Sequence, residues 1–430
     1  MSSLYGQHIT DLLQHYRTAM SKFNLDSIVI SSGHHTHYFQ DDIPHPFRAY
    51  SGAQQWLPFS LQANVHIIIP KHGLPTLLWP IQNDFWHASK IIPAGEWRLL
   101  WDIIDRPIQS DVTTYLMGKY VCFGPKKQQD IIEDPLSNKL HAFINYQKAY
   151  KTEFEIQAIA EANICAAKGH KAAEHAFLEG KSEFAIYNEY LTASEQTSSQ
   201  EPYSGIVALN ENAAILHYEK KQLQPFQQSR TLLIDAGVST HGYASDITRT
   251  YTQDNGLFKD LLTSVETLQL QLCASATVGT DFQVLHDTAL QGIAGILLQH
   301  KICSLSVEEQ LQKDIPQTFF PHGLGHLLGL QVHDLGGHQR NREGDIKPSN
   351  PNSPYLRLTR TLEENMVITI EPGLYFIPML LAKMQNEIPQ HGCDFKKIET
   401  LLPFGGIRIE DNIVVGKEGN RNLTREAFSM

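Results

Sequence analysis

Cysteine is scarce in this chain and badly placed for stapling: five occur in 430 residues (Cys122, Cys165, Cys273, Cys303, Cys393), none in CxxC spacing. A scattered, odd set excludes zinc-finger readings and points to reduced thiols and a cytoplasmic location. Runs of 18 or more apolar residues are missing, so no transmembrane helix is expected and no membrane partner. The start, MSSLYGQHIT, lacks the basic residues and apolar stretch of a signal peptide, so export is not expected either. Basic clusters interleaved with aromatics are also wanting. With Lys+Arg 35 against Asp+Glu 46 the net charge is −11, which leaves nucleic acid without an electrostatic footprint to bind. Neither a fixed-period repeat nor a low-complexity tract stands out.

What is present is ordinary globular material: 42% hydrophobic and 19% charged residues, at a length that buries a large core and divides into two domains. Leu4 to Phe23 carries apolar residues at helical spacing, and Ser27 to Ser32, Val65 to Ile69, Thr76 to Trp79 and Tyr120 to Phe123 read as strands. This is a small N-terminal α/β domain, 1–148. Its histidine group (His34, His35, His37) has no carboxylate strand beside it and reads as a solvated loop, as do DDIPHPF and the Asp84 to His87 stretch. The second domain, 149–430, opens with a capping box, Thr152 and Glu155, ahead of a helix running to about Leu178, and Ser182 starts another. Tyr203 to Asn210 and Ala214 to Tyr218 read as strands, and Leu257 to Leu272 and Val284 to Leu298 as amphipathic helices. The segment Gly336 to Pro354 is the longest irregular one, either a functional rim loop or disordered.

The chemistry gathers around LLIDAGVSTHGYASDITRT, Leu232 to Thr250. It reads as a hairpin, and a turn centred on Thr240 and His241 places Asp235 opposite Asp246. Facing carboxylates destabilise a ladder unless they share a proton or hold a cation; in another register the two aspartates are unrelated. Further along, FFPHGLGHLLGLQVHD supplies His322, His326 and His333; Gly323 and Gly325 disfavour a helix and favour a loop and strand. Such histidines are either ligands or hydrogen-bonded core groups. In VITIEPGLYF an apolar strand runs into Glu371, and Pro372 and Gly373 end it. In GGIRIEDNIV, Ile407 and Ile409 face one way while Arg408 and Glu410 face the other, as a salt bridge or as part of a site. Asp235, Asp246, His326, Glu371 and Glu410 together are four carboxylates and one imidazole, each beside an apolar strand. Buried charges of one sign need partners, and two divalent cations would cancel four of them. Oxygen-rich ligation with one nitrogen suits Mn²⁺ or Co²⁺, with Zn²⁺ or iron admissible.

The order LIDAG, SDITRT, PHGLGH, VHD, TIEPGLYF and GGIRIED resembles the creatinase-type pita-bread metallopeptidases, and among them the bacterial Xaa-Pro dipeptidases (prolidases), which include the organophosphorus acid anhydrolases. The resemblance extends to FQDDIPHPF, NDFWH and YQKAY, and so covers the whole chain. It implies an α+β protein whose catalytic domain is a curved antiparallel sheet covered by helices. It also implies a dimetal site of Asp235, Asp246, His326, Glu371 and Glu410, with Asp246 and Glu410 contacting both ions and His326 one. His217, His322, His333 and Arg408 would hold a dipeptide ending in proline. Asp42 would reach the active site of the other subunit of a homodimer. Glu371 would shuttle the proton while a metal-bridging hydroxide attacks the Xaa-Pro carbonyl, with His333 and His322 donating hydrogen bonds. A side activity on organophosphate triesters belongs to the same resemblance. The alternatives are an aminopeptidase acting on longer Xaa-Pro peptides and a catalytically silent peptide-binding module.

Overall fold

In β7 (Thr231–Asp235) successive side chains serve two different cores, and that alternation shows how the catalytic half is layered. Leu232 and Ile234 pack with Ala173, Phe177, Ile186 and Tyr190, whereas Leu233 packs with Ala208 and Tyr375. A strand buried on both faces reads as the continuous apolar run LLI. The computed structural model describes residues 2–81, 84–86, 91–108, 111–125 and 135–430. His87 of the NDFWH stretch lies outside them.

The chain gathers into two units, one of 1–148 with 152–155 and 341–345, the other of the remaining residues. In the first, α1 (Ser2–Phe23) buries Tyr5, Ile9, Leu12, Tyr16 and Met20, which recur at helical spacing. Its strands β1 (Ser27–Ser31), β2 (His66–Pro70), β3 (Thr76–Ile81), β4 (Asp102–Pro107) and β5 (Tyr120–Phe123) form a mixed sheet in the order β4-β3-β2-β1-β5. A short α2 (Ser51–Gln54) and α3 (Pro135–Lys148) complete it. Asp42 lies here, exposed, at a bend between the bridged residues His37 and Pro44.

Helix α4 (Glu153–Leu178), whose first turn is counted with the first unit, and α5 (Glu183–Ala193) in the second begin where their caps predict. The Thr152 backbone N–H donates to Glu155 at 2.8 Å, and Ser182 accepts from the Ala185 N–H. The strands β6 (Ile206–Leu209), β7 and β10 (Thr248–Thr252) make an antiparallel sheet ordered β10-β7-β6, and β8 (Ser239–Thr240) pairs with β9 (Tyr243–Ala244). Helices α6 (Leu257–Ser275), α7 (Phe282–Gln299), α8 (Val307–Gln312) and α9 (Ile315–Phe319) follow. Then come β11 (Val367–Ile370), β12 (Gly373–Tyr375), α10 (Pro378–Glu387), α11 (Phe395–Leu401), β13 (Gly406–Arg408), β14 (Asp411–Val414), β15 (Arg421–Asn422) and α12 (Leu423–Phe428). One core cluster joins α6, α7 and α9 to the inner faces of β11 and β14, through Phe258, Leu268, Ile293, Phe319, Ile368 and Ile413 among others. Small antiparallel sheets covered by helices are the α+β arrangement expected.

Two local expectations need correction. The hairpin turn lies on His241 and Gly242, both with positive φ (53° and 88°), as a two-residue type I′ turn demands. Asp235 therefore faces Thr248, two residues past the expected partner. Ala214 to Tyr218 is no strand, because a 3-10 turn over Asn210–Ala214 leads into a bend there. β11 ends before Glu371 and Pro372 as expected, and Gly373 opens β12, which belongs to another sheet and pairs with β13. The Gly336 to Pro354 segment is irregular but pinned, by a Gln339–Ile346 bridge and by Lys347 donating to Asp281 at 2.6 Å.

Candidate metal centre

Because the register shifts by two residues, Asp246 stays on the Asp235 face, as a diagonal neighbour instead of a direct one. Tyr203 stands between them, its hydroxyl 2.7 Å from Asp235 Oδ1 and 2.5 Å from Asp246 Oδ1. A phenol has one hydrogen to give. If both carboxylates are ionised, a second positive group must compensate. Asp246 is further fixed by Asn412, which accepts its backbone N–H at 3.0 Å and donates to its carbonyl at 2.5 Å.

His326 reaches the cluster from a loop laid against β11. The Thr369 N–H donates to the His326 carbonyl at 2.9 Å, and the Glu371 N–H donates to Leu324 at 2.8 Å. Its Nδ1 lies 3.0 Å from the Leu327 carbonyl, which can only accept, so Nδ1 carries the proton and the Nε2 lone pair is left for the cluster. Nε2 sits 3.3 Å from Asp246 and 3.7 Å from Glu371. Glu371 follows β11, and its other oxygen lies 3.7 Å from His322 Nδ1.

The alternation along β13 holds: Ile407 and Ile409 enter the core, while Arg408 and Glu410 enter the site. Arg408 is taken by Asp235 at 2.6 Å, and not by Glu410. It also donates to the Tyr375 hydroxyl at 2.8 Å and to Thr248 Oγ1 at 3.1 Å. Thr248 in turn donates to Glu410 at 2.7 Å. His322 meets the same Tyr375 hydroxyl at 2.9 Å. His333 is exposed and packs edge-to-face on His326 at 4.5 Å. His217 is exposed in the turn after the 3-10 segment; burial lowers His322 to about 3 and His333 to about 4, with Arg408 adding to the effect at the first and His326 at the second.

Ligand-type atoms of Asp246, His326 and Glu410 lie within 4.8 Å of one another. Asp235, through Tyr203, and Glu371, through His326, adjoin them. Burial pushes the Glu371 carboxyl up to about 7, with the neighbouring aspartates adding to the effect and His326 and Arg408 opposing it. Burial likewise raises Asp235, against the pull of Arg408, and raises Glu410, where three neighbouring carboxylates add to it. For His326 burial works against the charged form, but Asp246 and Glu371 outweigh it and raise the imidazole. Such a donor set is stabilised by cations. One neutral imidazole facing four carboxylates fits divalent metal ions. Tyr203, Tyr375 and Thr248 carry no local signal in the sequence; they enter only because distant strands meet, as at the Thr248–Glu410 bridge.

Residues 157–417 match Metallopeptidase family M24, and residues 3–133 match the family Xaa-Pro dipeptidase, N-terminal domain. A Xaa-Pro dipeptidase of Pseudoalteromonas atlantica is 38% identical over 440 aligned residues, covering 99% of this chain and 98% of its own. That of Shewanella piezotolerans is 38% identical with the same coverage. Among solved structures, zinc-substituted Escherichia coli aminopeptidase P with product superposes with a TM-score of 0.72 at 21% identity, covering 99% of this chain and 96% of its own. Proline aminopeptidase P II from Yersinia pestis gives 0.70 at 21%, covering 99% and 97%. Those structures establish the pita-bread fold. Since the first match takes in every converging side chain from Asp235 to Glu410, and the dipeptidases align end to end, the chain belongs to metallopeptidase family M24, with the bacterial Xaa-Pro dipeptidases, and is a metal-dependent hydrolase.

Proposed function

We propose that the protein hydrolyses Xaa-Pro dipeptides at a two-ion centre held by Asp235, Asp246, His326, Glu371 and Glu410. The observation that carries this reading is the convergence of Asp246, His326 and Glu410 within 4.8 Å, with the two other carboxylates alongside. Divalent ions bound there would supply water acidified toward neutrality and charge stabilisation for the tetrahedral state. The remaining work falls to side chains. Glu371 faces both His326 and His322 and is only partly covered, so it can move a proton from the attacking water to the departing proline nitrogen. His333, on the open side of His326, would donate to the oxyanion or to the substrate carboxylate; His322, whose Nδ1–H goes to the Gly323 carbonyl at 2.8 Å and whose Nε2 meets the Tyr375 hydroxyl, would have to exchange the first bond for one to the substrate. His217 and the two Arg408 N–H groups left after its three bonds add positive potential for that carboxylate.

In this reading the native ion is Mn²⁺, favoured by the oxygen-rich set over a thiolate-seeking metal. The homodimer, the part of Asp42 in it and any triester hydrolysis rest on the resemblance alone, and the cytoplasmic location rests on the scattered cysteines. The test is metal analysis of the purified protein together with hydrolysis of Gly-Pro and Ala-Pro, with and without chelator. About two ions per chain, and turnover abolished by chelation and restored by Mn²⁺, are expected. Cleavage of Xaa-Pro-Yaa peptides at rates rivalling the dipeptides would instead make it an aminopeptidase. Absence of metal-dependent hydrolysis would leave a binding module.

A further inference from the structure

Away from the metal centre, Cys303 and Cys393 face each other across an isolated antiparallel bridge. Cys303 lies between α7 and α8, and Cys393 lies just before α11. The Ser304 N–H donates to the Gly392 carbonyl at 2.9 Å and the Asp394 N–H to the Ile302 carbonyl at 2.8 Å. These two bonds bracket the cysteines and make them a non-hydrogen-bonded facing pair, the narrow kind, whose Cα atoms stand ~4.5 Å apart. A disulfide spans Cα separations of ~4.4–6.8 Å. The side chains also converge: both sulfurs lie on the His391 carbonyl, at 3.4 and 3.6 Å. All five cysteines are free thiols.

We propose that Cys303 and Cys393 form a reversible dithiol site that a hydroperoxide oxidises to an intrachain disulfide. Partly exposed Cys393 is the sulfur peroxide reaches, while Cys303 is 1% exposed. The Cys393 thiol, which the Cys303 sulfur and burial hold well above its ordinary range, hands its proton to the Cys303 thiolate as it attacks one peroxide oxygen, forming S–O and breaking O–O, and the hydroxide released takes up that proton as water. The Cys303 thiolate then attacks the sulfenic sulfur, forming S–S and breaking S–O, with a second water leaving. Two thiols thus deliver two electrons and two protons to one hydrogen peroxide, and a dithiol reductant reverses the change. Cys303 suits the second role: the adjacent Cys393 side chain pulls its thiol down to about 7, against burial and with help from the N–H groups of Leu305 and Ser304. The bond closes a loop holding His322, His326, His333 and Glu371, so it constrains the unfolded chain and stabilises the native one.

The full-length protein, first reduced, is exposed to dilute hydrogen peroxide, alkylated, digested and mapped by mass spectrometry. A Cys303–Cys393 cross-linked peptide, loss of two alkylatable thiols and a raised Tm, all reversed by dithiothreitol, are expected. Cys303→Ser should leave Cys393 as a sulfenic acid trapped by dimedone, with no rise in Tm. Peptide maps in which both thiols remain alkylatable, pass to sulfinic or sulfonic acid without a cross-link, or pair with other cysteines would overturn the proposal. Mapping the natural chain decides the matter even where a variant fails to fold.

Discussion

His326 enters the candidate metal centre as a neutral ring whose tautomer is fixed by one carbonyl, and it supplies the imidazole of the group it forms with Asp246 and Glu410. His326→Ala should lower the metal content of the isolated protein and cut dipeptide turnover by ~100-fold or more, given that even outer-shell losses cost ~10–100-fold. Unchanged metal content by elemental analysis would contradict the ligand assignment. Arg408 teaches something different. From sequence it is a substrate residue, and Arg408→Ala is expected mainly to weaken capture. In the structure it is also the buried counter-charge of Asp235. Removing one partner of such a pair costs ~3–5 kcal/mol, so the variant should unfold at lower urea. The deficit should be largest under chelation, where nothing else offsets Asp235. The five ligand candidates are legible because each is a group costly to bury that stands on or beside an apolar strand. Tyr203 and Tyr375 look like ordinary aromatic residues, and their roles depend on contacts between distant segments.

Helices announce themselves through period and caps, and α4 and α5 start where Thr152 and Ser182 say they should. The hairpin is harder, since β pairing depends on where the turn falls. Gly242 is the residue that tolerates the second positive φ of a type I′ turn, and centring on His241–Gly242 gives the register observed. At Gly325 the constraint is proximity: a Cβ there would stand 2.0 Å from the Thr369 carbonyl oxygen. Gly325→Ala must push the His326 loop off β11, at a cost of ~1–3 kcal/mol. It should weaken metal binding at least ~10-fold by titration, in line with losses of ligand support elsewhere. The control is Gly295→Ala inside α7, where a Cβ meets nothing within 4 Å. There, stability should rise by ~0.5–1 kcal/mol and metal binding should not change.

Across the molecule, several histidines are buried neutral. Burial lowers His15, His66 and His286 to about 4; the cations Arg342 and Arg106 add to the effect at the first two. Between that value and the unfolded ~6.5 the unfolded chain binds the extra proton, so stability rises with pH through the window and is lost on acidification. Each group contributes a slope of up to ~1.4 kcal/mol per pH unit. Urea unfolding of the chelated protein between pH 6 and pH 4.5 should show a slope shallower by about that amount in His286→Asn, whatever the variant does to stability at neutral pH. An unaltered slope would mean that His286 titrates normally. Acid should release bound metal as well, because protons compete for the ligands.

The proposed ligands are drawn from position 235 to position 410, with a long helical excursion between the first and the last. Ions therefore cannot seed the collapse that brings their own ligands together; they arrive after the ring of segments has closed. Loaded protein should refold no faster than the chelated form but escape from the native state far more slowly, with longevity conferred late. Stopped-flow refolding beside slow unfolding in denaturant, each with and without Mn²⁺, would display that asymmetry, and an accelerated refolding limb would refute it.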